Sequence, residues 1–158
     1  MREMRILTVR QPWAWVIAGG FKSVENRTRS IAGDYRGLVA IHAAAAEDTT
    51  ARQHPEIVRL AREQWRTTPS DLFTGMPEMF GHILAVANLY AVHQHDGSAR
   101  FACCANAPDR YQRWAEPNAW HLCFATPRQL AQPVPFKGAL GLRRLDEAMV
   151  QRIEAETA

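Results

Sequence analysis

The sequence predicts an α+β fold: a small mixed sheet or barrel with helices set against it. Three observations carry this expectation. Five or six β-prone runs punctuate the chain, and helical stretches fall between them without a regular strand–helix–strand rhythm. The glycine-rich loop of a nucleotide-binding unit does not occur. The 158 residues suit a single domain, since domains most often hold roughly 100–150 residues.

Apolar residues form 47% and charged residues 22% of the chain, an ordinary globular balance that argues against disorder. The net charge of +3 permits an anionic partner without demanding one. No run approaches the roughly 20 apolar residues that cross a bilayer, so no membrane partner is expected. The first residues, Met1-Arg2-Glu3-Met4-Arg5, lack the apolar core of a secretory signal. Three cysteines are an odd number in a chain long enough to fold without staples, which suits reduced thiols and a cytoplasmic setting.

In order, residues 6–9 form a β-prone run that Gln11-Pro12 breaks. Pro12 suits the first turn of a helix over 13–18, because its missing N–H had no intrahelical partner. Gly19-Gly20 closes that helix. Trp13 and Trp15 lie on different faces, so one indole can be buried and the other offered to a pocket. Residues 22–27 alternate like a strand, with Lys22, Val24 and Asn26 on one side and Ser23, Glu25 and Arg27 on the other. Residues 28–34 read as a loop, and 38–43 as a buried strand with His42 its one polar side chain.

Residues 44–66 read as helical, most clearly from Pro55. There Ile57, Val58, Leu60, Ala61 and Trp65 make an apolar stripe, and Arg59, Arg62, Glu63 and Arg66 a solvated one. Residues 67–81 look loop-like, with one turn from Ser70. The run 82–92 is apolar enough for a central strand. Residues 93–116 read as a long connection with a short helix over 109–114. Strands follow at 119–125, ended by Pro127, and at 138–142, and a last helix covers 145–156 with Asp146-Glu147 near its positive end.

The densest polar and aromatic chemistry falls between Thr8 and Ala43. Gly20-x-Lys22-x-x-Glu25-x-Arg27 matches the G-x-K-x-x-x-x-R signature of the ASCH domains. Arg10-Gln11-Pro12-Trp13-Ala14, Tyr35-Arg36-Gly37 with Ile41-His42-Ala43, and the stretch from Pro133 to Leu142 are similar to that family's flanks and closing strand. The resemblance spans about residues 6–142. It implies one PUA-like β-barrel domain over 1–158, with a helical insertion at about 44–80 and a cleft beside the barrel for RNA or a modified nucleoside. Some members resemble amidohydrolases acting on N4-acetylcytidine; others are linked to ribonuclease activity. The hydrolase type pairs a lysine with a threonine three residues on and a glutamate on a distant strand. Here Lys22 matches the lysine, Glu25 stands in the threonine position, and 82–92 holds no acidic residue.

The resemblance thus implies a site of Arg10, Gln11, Trp13, Lys22, Glu25, Arg27, Tyr35 and His42, with Lys22 and Glu25 as the catalytic pair if the protein is an enzyme. Lys22 suits phosphate contact, or base or nucleophile chemistry if desolvated. Glu25 suits a base edge or general-base work, and equally a salt bridge to Arg27 or Arg10. Arg27 offers a bidentate fork for phosphate, and Trp13 a stacking surface at a helix start that also favours anions. Tyr35 and His42 line the pocket in this reading and are satisfied interior groups in the plainer one. His93-x-His95, Cys103-Cys104 and His121-x-Cys123 contain no pair at the usual zinc spacing, and neither metal nor cofactor is expected. A protein-interaction module with a vestigial cleft is the remaining alternative. The sequence sets no oligomeric state.

Overall fold

The first strand of the computed structural model, which describes residues 3–95 and 113–157, is β1 (Met4–Gln11), with Met4, Ile6, Leu7 and Val9 buried. Helix α1 (Trp13–Ala18) has the expected bounds, and every residue after Trp13 is buried. Gly20 takes a left-handed φ of 76° at the turn that follows, a conformation that favours glycine. The expected strand 22–27 begins two residues late, as β2 (Val24–Arg27). The end of α1 is the reason: the backbone N–H groups of Phe21 and Lys22 both donate to the Val16 carbonyl, keeping Lys22 in the turn. Lys22 therefore escapes the expected alternation, and its side chain meets Glu25 three residues on.

Strand β3 (Gly37–Glu47) outruns the expected 38–43, because residues 44–47 continue the strand where a helix was expected. They follow β1, with Gln11 opposite Glu47 and the Asp48 N–H donating to the Gln11 carbonyl. A 3-10 turn at Thr50–Gln53 leads into α2 (Pro55–Trp65), whose helical register matches expectation from Pro55 onward. Where a loop was expected, α3 (Pro69–Gly75) and a 3-10 turn at Pro77–Met79 form. Thr68 caps α3 by accepting from the Asp71 N–H and donating to its carboxylate, which satisfies an orphan donor of the first turn. Leu72 and Phe73 then supply the apolar contact.

Strand β4 (His82–Gln94) is central as expected. Strand β5 (Trp120–Pro135) does not end at Pro127 but runs through it on a bulge. Asn88 faces Ala125 while Val86 faces Arg128, leaving two residues of β5 opposite one, and Thr126 adopts φ 47° there. The last strand, β6 (Leu142–Arg144), falls after the expected 138–142, and α4 (Glu147–Glu156) follows, capped by Asp146. The helix expected over 109–114 and most of the connection 93–116 lie outside the described residues.

The strands form one mixed sheet in the order β2-β5-β4-β3-β1-β6, with β1 parallel to β3 and the other pairs antiparallel. The expected barrel is corrected here: among the described residues the hydrogen-bond ladder stays open. A side chain bridges part of the gap, as Arg27 on β2 donates through Nη2 to the Thr8 carbonyl on β1 at 2.9 Å. Helix α4 covers one apolar cluster with Val150 and Ile153 against Met4, Ile6 and Val134. On another side α2 and α3 pack Ile57, Leu60 and Phe73 around Trp15, Val24 and Trp114. That second cluster fixes the walls of the site. No helix among the described residues is long and apolar enough to cross a membrane.

Candidate functional site

The turn after α1 and the start of β2 deliver three charged side chains to one point. Lys22 Nζ donates to Glu25 Oε2 at 3.0 Å, and the other Glu25 oxygen lies 3.3 Å from Arg27 Nε. The Lys22 side chain is only 4% and that of Glu25 9% exposed. A carboxylate this deep requires compensating charge, and Glu25 has a cation on each oxygen. Lys22 Nζ also lies 5.1 Å from the centre of the Trp13 ring, which adds a cation–π contact.

Aromatic groups build the walls. Trp13 and Trp114 meet edge to face, with centroids 6.0 Å apart at 84°. His54 stacks on Trp114 at 5.1 Å. Its Nδ1 accepts the Glu56 N–H as the cap of α2, so a neutral His54 ring carries its proton on Nε2. Trp13 Nε1 donates to Asp48 Oδ2 at 3.1 Å, while Thr50 Oγ1 and the Ala51 N–H hold the other oxygen. The Thr50 hydroxyl first, and the Trp13 indole after it, hold the Asp48 carboxyl below its usual range. Trp114 is pinned by its own Nε1, which donates to the Phe21 carbonyl at 3.0 Å. Asn26 clamps the same segment from both sides: Nδ2 donates to the Trp114 carbonyl at 2.7 Å, and Oδ1 accepts the Glu116 N–H at 3.1 Å.

Together these groups enclose a cavity of about 310 Å³. That lies at the small end of ligand pockets, roughly 300–1,000 Å³, and suits a base or a nucleoside. Two cations, Lys22 and Arg113, face three carboxylates, Glu25, Asp48 and Glu116, around its described lining. Flat aromatic surface, a buried amine and carboxylate oxygens are what a planar ring with exocyclic hydrogen-bonding groups calls for.

Of the residues singled out in the sequence, Trp13, Lys22 and Glu25 line this cavity. The others do not. Arg27 stands behind Glu25, its guanidinium committed to Glu25 and Thr8 rather than to an incoming phosphate. Gln11 is fully buried: its Oε1 accepts the Trp15 N–H and its Nε2 donates to the Met79 carbonyl. It orients α1 and occupies an amide that an anion at the helix start would use. Arg10 is exposed and outside the cavity. Tyr35 donates to the Leu38 carbonyl at 2.7 Å beneath the Arg5 guanidinium. His42 is 1% exposed, with Nε2 donating to the Phe136 carbonyl and Nδ1 beside Thr8 Oγ1. Burial pushes its pKa down.

Sequence reasoning passed over Asp48, His54, Trp114 and Glu116, and gave Asn26 no role in the site. Pro55 ahead of an amphipathic run is a legible helix start, which places His54 at the cap; the other residues arrive by tertiary contact. In the zinc candidate set, His93 and His121 bring their rings to 5.2 Å, and Cys123 Sγ lies 3.9 Å from His93 Nδ1. Even so, no three such side chains among the described residues are arranged to hold a metal ion. Cys103 and Cys104 lie outside the described residues.

No family model and no curated protein matches the chain. Solved structures do. The ASCH protein of Zymomonas mobilis is 15% identical with a TM-score of 0.54, over 100% of this chain and 98% of that one. A tyrosine-to-phenylalanine mutant of it gives 16% and 0.56 over 99% and 100%, and a serine-to-alanine mutant 16% and 0.52 over 99% and 98%. Identity this low speaks for architecture alone, and the matches cover nearly the whole of each chain: the chain has the fold of an ASCH domain.

Proposed function

We propose that the protein binds RNA or a modified nucleoside, with the base held in the aromatic cavity. The observation that carries this reading is the buried Lys22–Glu25 pair at the foot of a cavity walled by Trp13, Trp114 and His54. A base stacked there gains apolar contact on its faces, while Lys22 and Glu25 offer a donor and an acceptor to its edge. A screen of thermal stability against nucleosides and short single-stranded RNAs tests it, followed by titration at fixed salt. Trp13→Ala should weaken binding by roughly 1–3 kcal/mol, the usual range for a lost stacking surface. Lys22→Ala should weaken it as well. Affinities unchanged in both variants would overturn the reading.

A second reading, a small amidohydrolase acting on an acylated nucleoside such as N4-acetylcytidine, draws on the desolvated amine and carboxylate 3.0 Å apart. Turnover that Glu25→Gln abolishes would support it. Binding without product would leave the protein a binding module.

A further inference from the structure

A second hollow, of about 230 Å³, shares no lining residue with the aromatic cavity. Helix α1 serves both. Trp13 and Trp15 stand roughly 200° apart round its axis, so Trp13 lines the cavity while Trp15 and Ala18 line the hollow. Trp65, the last residue of α2, forms a corner with Trp15: their ring centroids lie 4.8 Å apart at 59°. Trp65 is 37% exposed, so its ring is open to a ligand. Phe21, which does not line the hollow, braces Trp65 at 76°. The segment of the second 3-10 turn adds Met76, Glu78 and Met79, and Gln11 fixes it by donating to the Met79 carbonyl at 2.7 Å. Leu84 on β4 and Leu130 on β5 extend the apolar wall.

The electrostatics of this hollow are one-sided. Glu78 is the only charged side chain of its described lining, and it pairs with no cation among the described residues. Arg66 and Arg128 adjoin Trp65 and Gln129 in sequence, yet neither lines the hollow. An indole ring is negative on its faces and attracts a cation held within about 6 Å of its centre. The Glu78 carboxylate adds a field of the same sign, so the hollow selects a cation.

Hydration decides which kind. A primary ammonium is strongly hydrated and brings three donors, whereas most of these walls are apolar and only Glu78 and Gln129 offer side-chain oxygens. Burying such a group here leaves it poorly satisfied. A quaternary ammonium has no N–H to satisfy, and its methyl groups suit Met76, Met79, Leu84 and Leu130. The volume lies below the roughly 300–1,000 Å³ of pockets for larger ligands, which fits a compact head group.

We propose that this hollow binds a quaternary ammonium head group, of the kind carried by choline or by a trimethylated lysine, against the Trp15–Trp65 corner with Glu78 as counter-charge. The inference stands apart from the reading of the aromatic cavity. The test titrates choline and the neutral alcohol in which carbon replaces the choline nitrogen, followed by ligand-observed nuclear magnetic resonance. Choline should bind about tenfold tighter than the neutral alcohol. Trp65→Leu should lower choline affinity about tenfold, because it keeps apolar area but loses the negative ring face; the neutral alcohol should bind it nearly as before. Glu78→Gln, a change to an exposed side chain, should weaken choline roughly three- to tenfold and leave the alcohol unaffected. Equal binding of choline and the alcohol to the unaltered protein would overturn the proposal and make the hollow a plain apolar pocket. Choline affinity unchanged in both variants would overturn it by placing the cation elsewhere, and so would the absence of saturable choline binding. A trimethyllysine peptide that binds tighter than choline would uphold the proposal and assign the head group to a protein side chain. The reverse order would uphold it and assign a free small molecule.

Discussion

Arg27 on β2 and Thr8 on β1 belong to strands that are not neighbours in the sheet, yet the Arg27 guanidinium donates to the Thr8 carbonyl at 2.9 Å. Thr8 is also a junction for the far side of the sheet. Its hydroxyl accepts the Ala139 N–H at 3.0 Å and sits 3.2 Å from His42 Nδ1. The charged run that delivers Lys22 and Glu25 to the cavity is thus tied to the sheet's interior through Arg27. A motif arginine that reads as a phosphate ligand holds the curl of the sheet.

Replacing Arg27 should therefore cost stability before it costs binding. Arg27→Ala removes a charged hydrogen bond, worth about 1.5–3 kcal/mol, and takes one of two cations from Glu25. At this chain length that corresponds to a fall in melting temperature of roughly 3–12 °C. Arg27→Lys keeps a charge near Glu25 but loses the reach to Thr8, so it should recover only part of the loss. Urea unfolding of the two variants decides the matter. A wild-type midpoint for Arg27→Ala would mean that the tether contributes nothing.

The two halves of the buried ion pair should respond unequally. Glu25→Ala removes the carboxylate that Lys22 bonds beneath the Trp13 ring, leaving the more distant Asp48 and Glu116 across the cavity, and breaking a buried pair in that way typically costs about 3–5 kcal/mol. Lys22→Met leaves Glu25 its contact with Arg27 and should cost clearly less. The joint variant should cost less than the sum, because it removes the ammonium as well. Equal losses from both single variants in denaturant unfolding would show that Arg27 does not compensate Glu25.

Most of the scaffold was legible because local rules decide it. Pro12 and Gly20 bracket α1, the apolar stripe of α2 shows at helical spacing, and the run from His82 declares a buried strand. What could not be read followed from contacts distant in sequence. The alanines at 44–46 carry no strand signal, and it is the Gln11–Glu47 pairing that draws them into β3. Pro127 would end a strand, but the bulge at Thr126 carries β5 through it. At the site, the motif pointed to Lys22 and Glu25, while Asp48 and Trp114 come from segments 23 and 89 residues beyond Glu25 and show only in three dimensions. His42 reads equally as a ligand or as an interior group until Phe136 and Thr8 are seen around it.

His42 also sets an acid limit on the fold. With Nε2 donating to the Phe136 carbonyl, the neutral ring accepts the Thr8 hydroxyl at Nδ1, and protonation would turn that acceptor into a second donor. Burial lowers its pKa below the ordinary 6.5. The sign follows: the unfolded chain binds this proton more readily, so the contribution is fully present above about pH 6.5 and declines as pH falls through the folded value. His42→Gln should flatten the loss of stability below pH 6.5, although His93 and His121, whose pKa values burial also lowers, retain part of it. An unchanged slope of unfolding free energy against pH would place the acid sensitivity elsewhere.

The Trp114 wall depends on Asn26 more than on any other single side chain of β2. Its amide completes two hydrogen bonds to the backbone of residues 114–116, while His121, directly across the ladder, donates to the Glu116 carbonyl at 2.8 Å. Asn26→Ala breaks both bonds and should cost roughly 1–3 kcal/mol, leaving His121 to hold one end. Asn26→Asp should do no better. It keeps an acceptor for the Glu116 N–H but sets a carboxylate oxygen against the Trp114 carbonyl, beside a cavity already rich in acid. Both variants should loosen Trp114, seen as a weaker near-ultraviolet circular dichroism signal, and should lower ligand affinity by more than their stability loss at the assay temperature explains. If stability falls while affinity and the aromatic signal stay at wild-type levels, Trp114 is held by its own bond to Phe21, and the wall does not need the clamp.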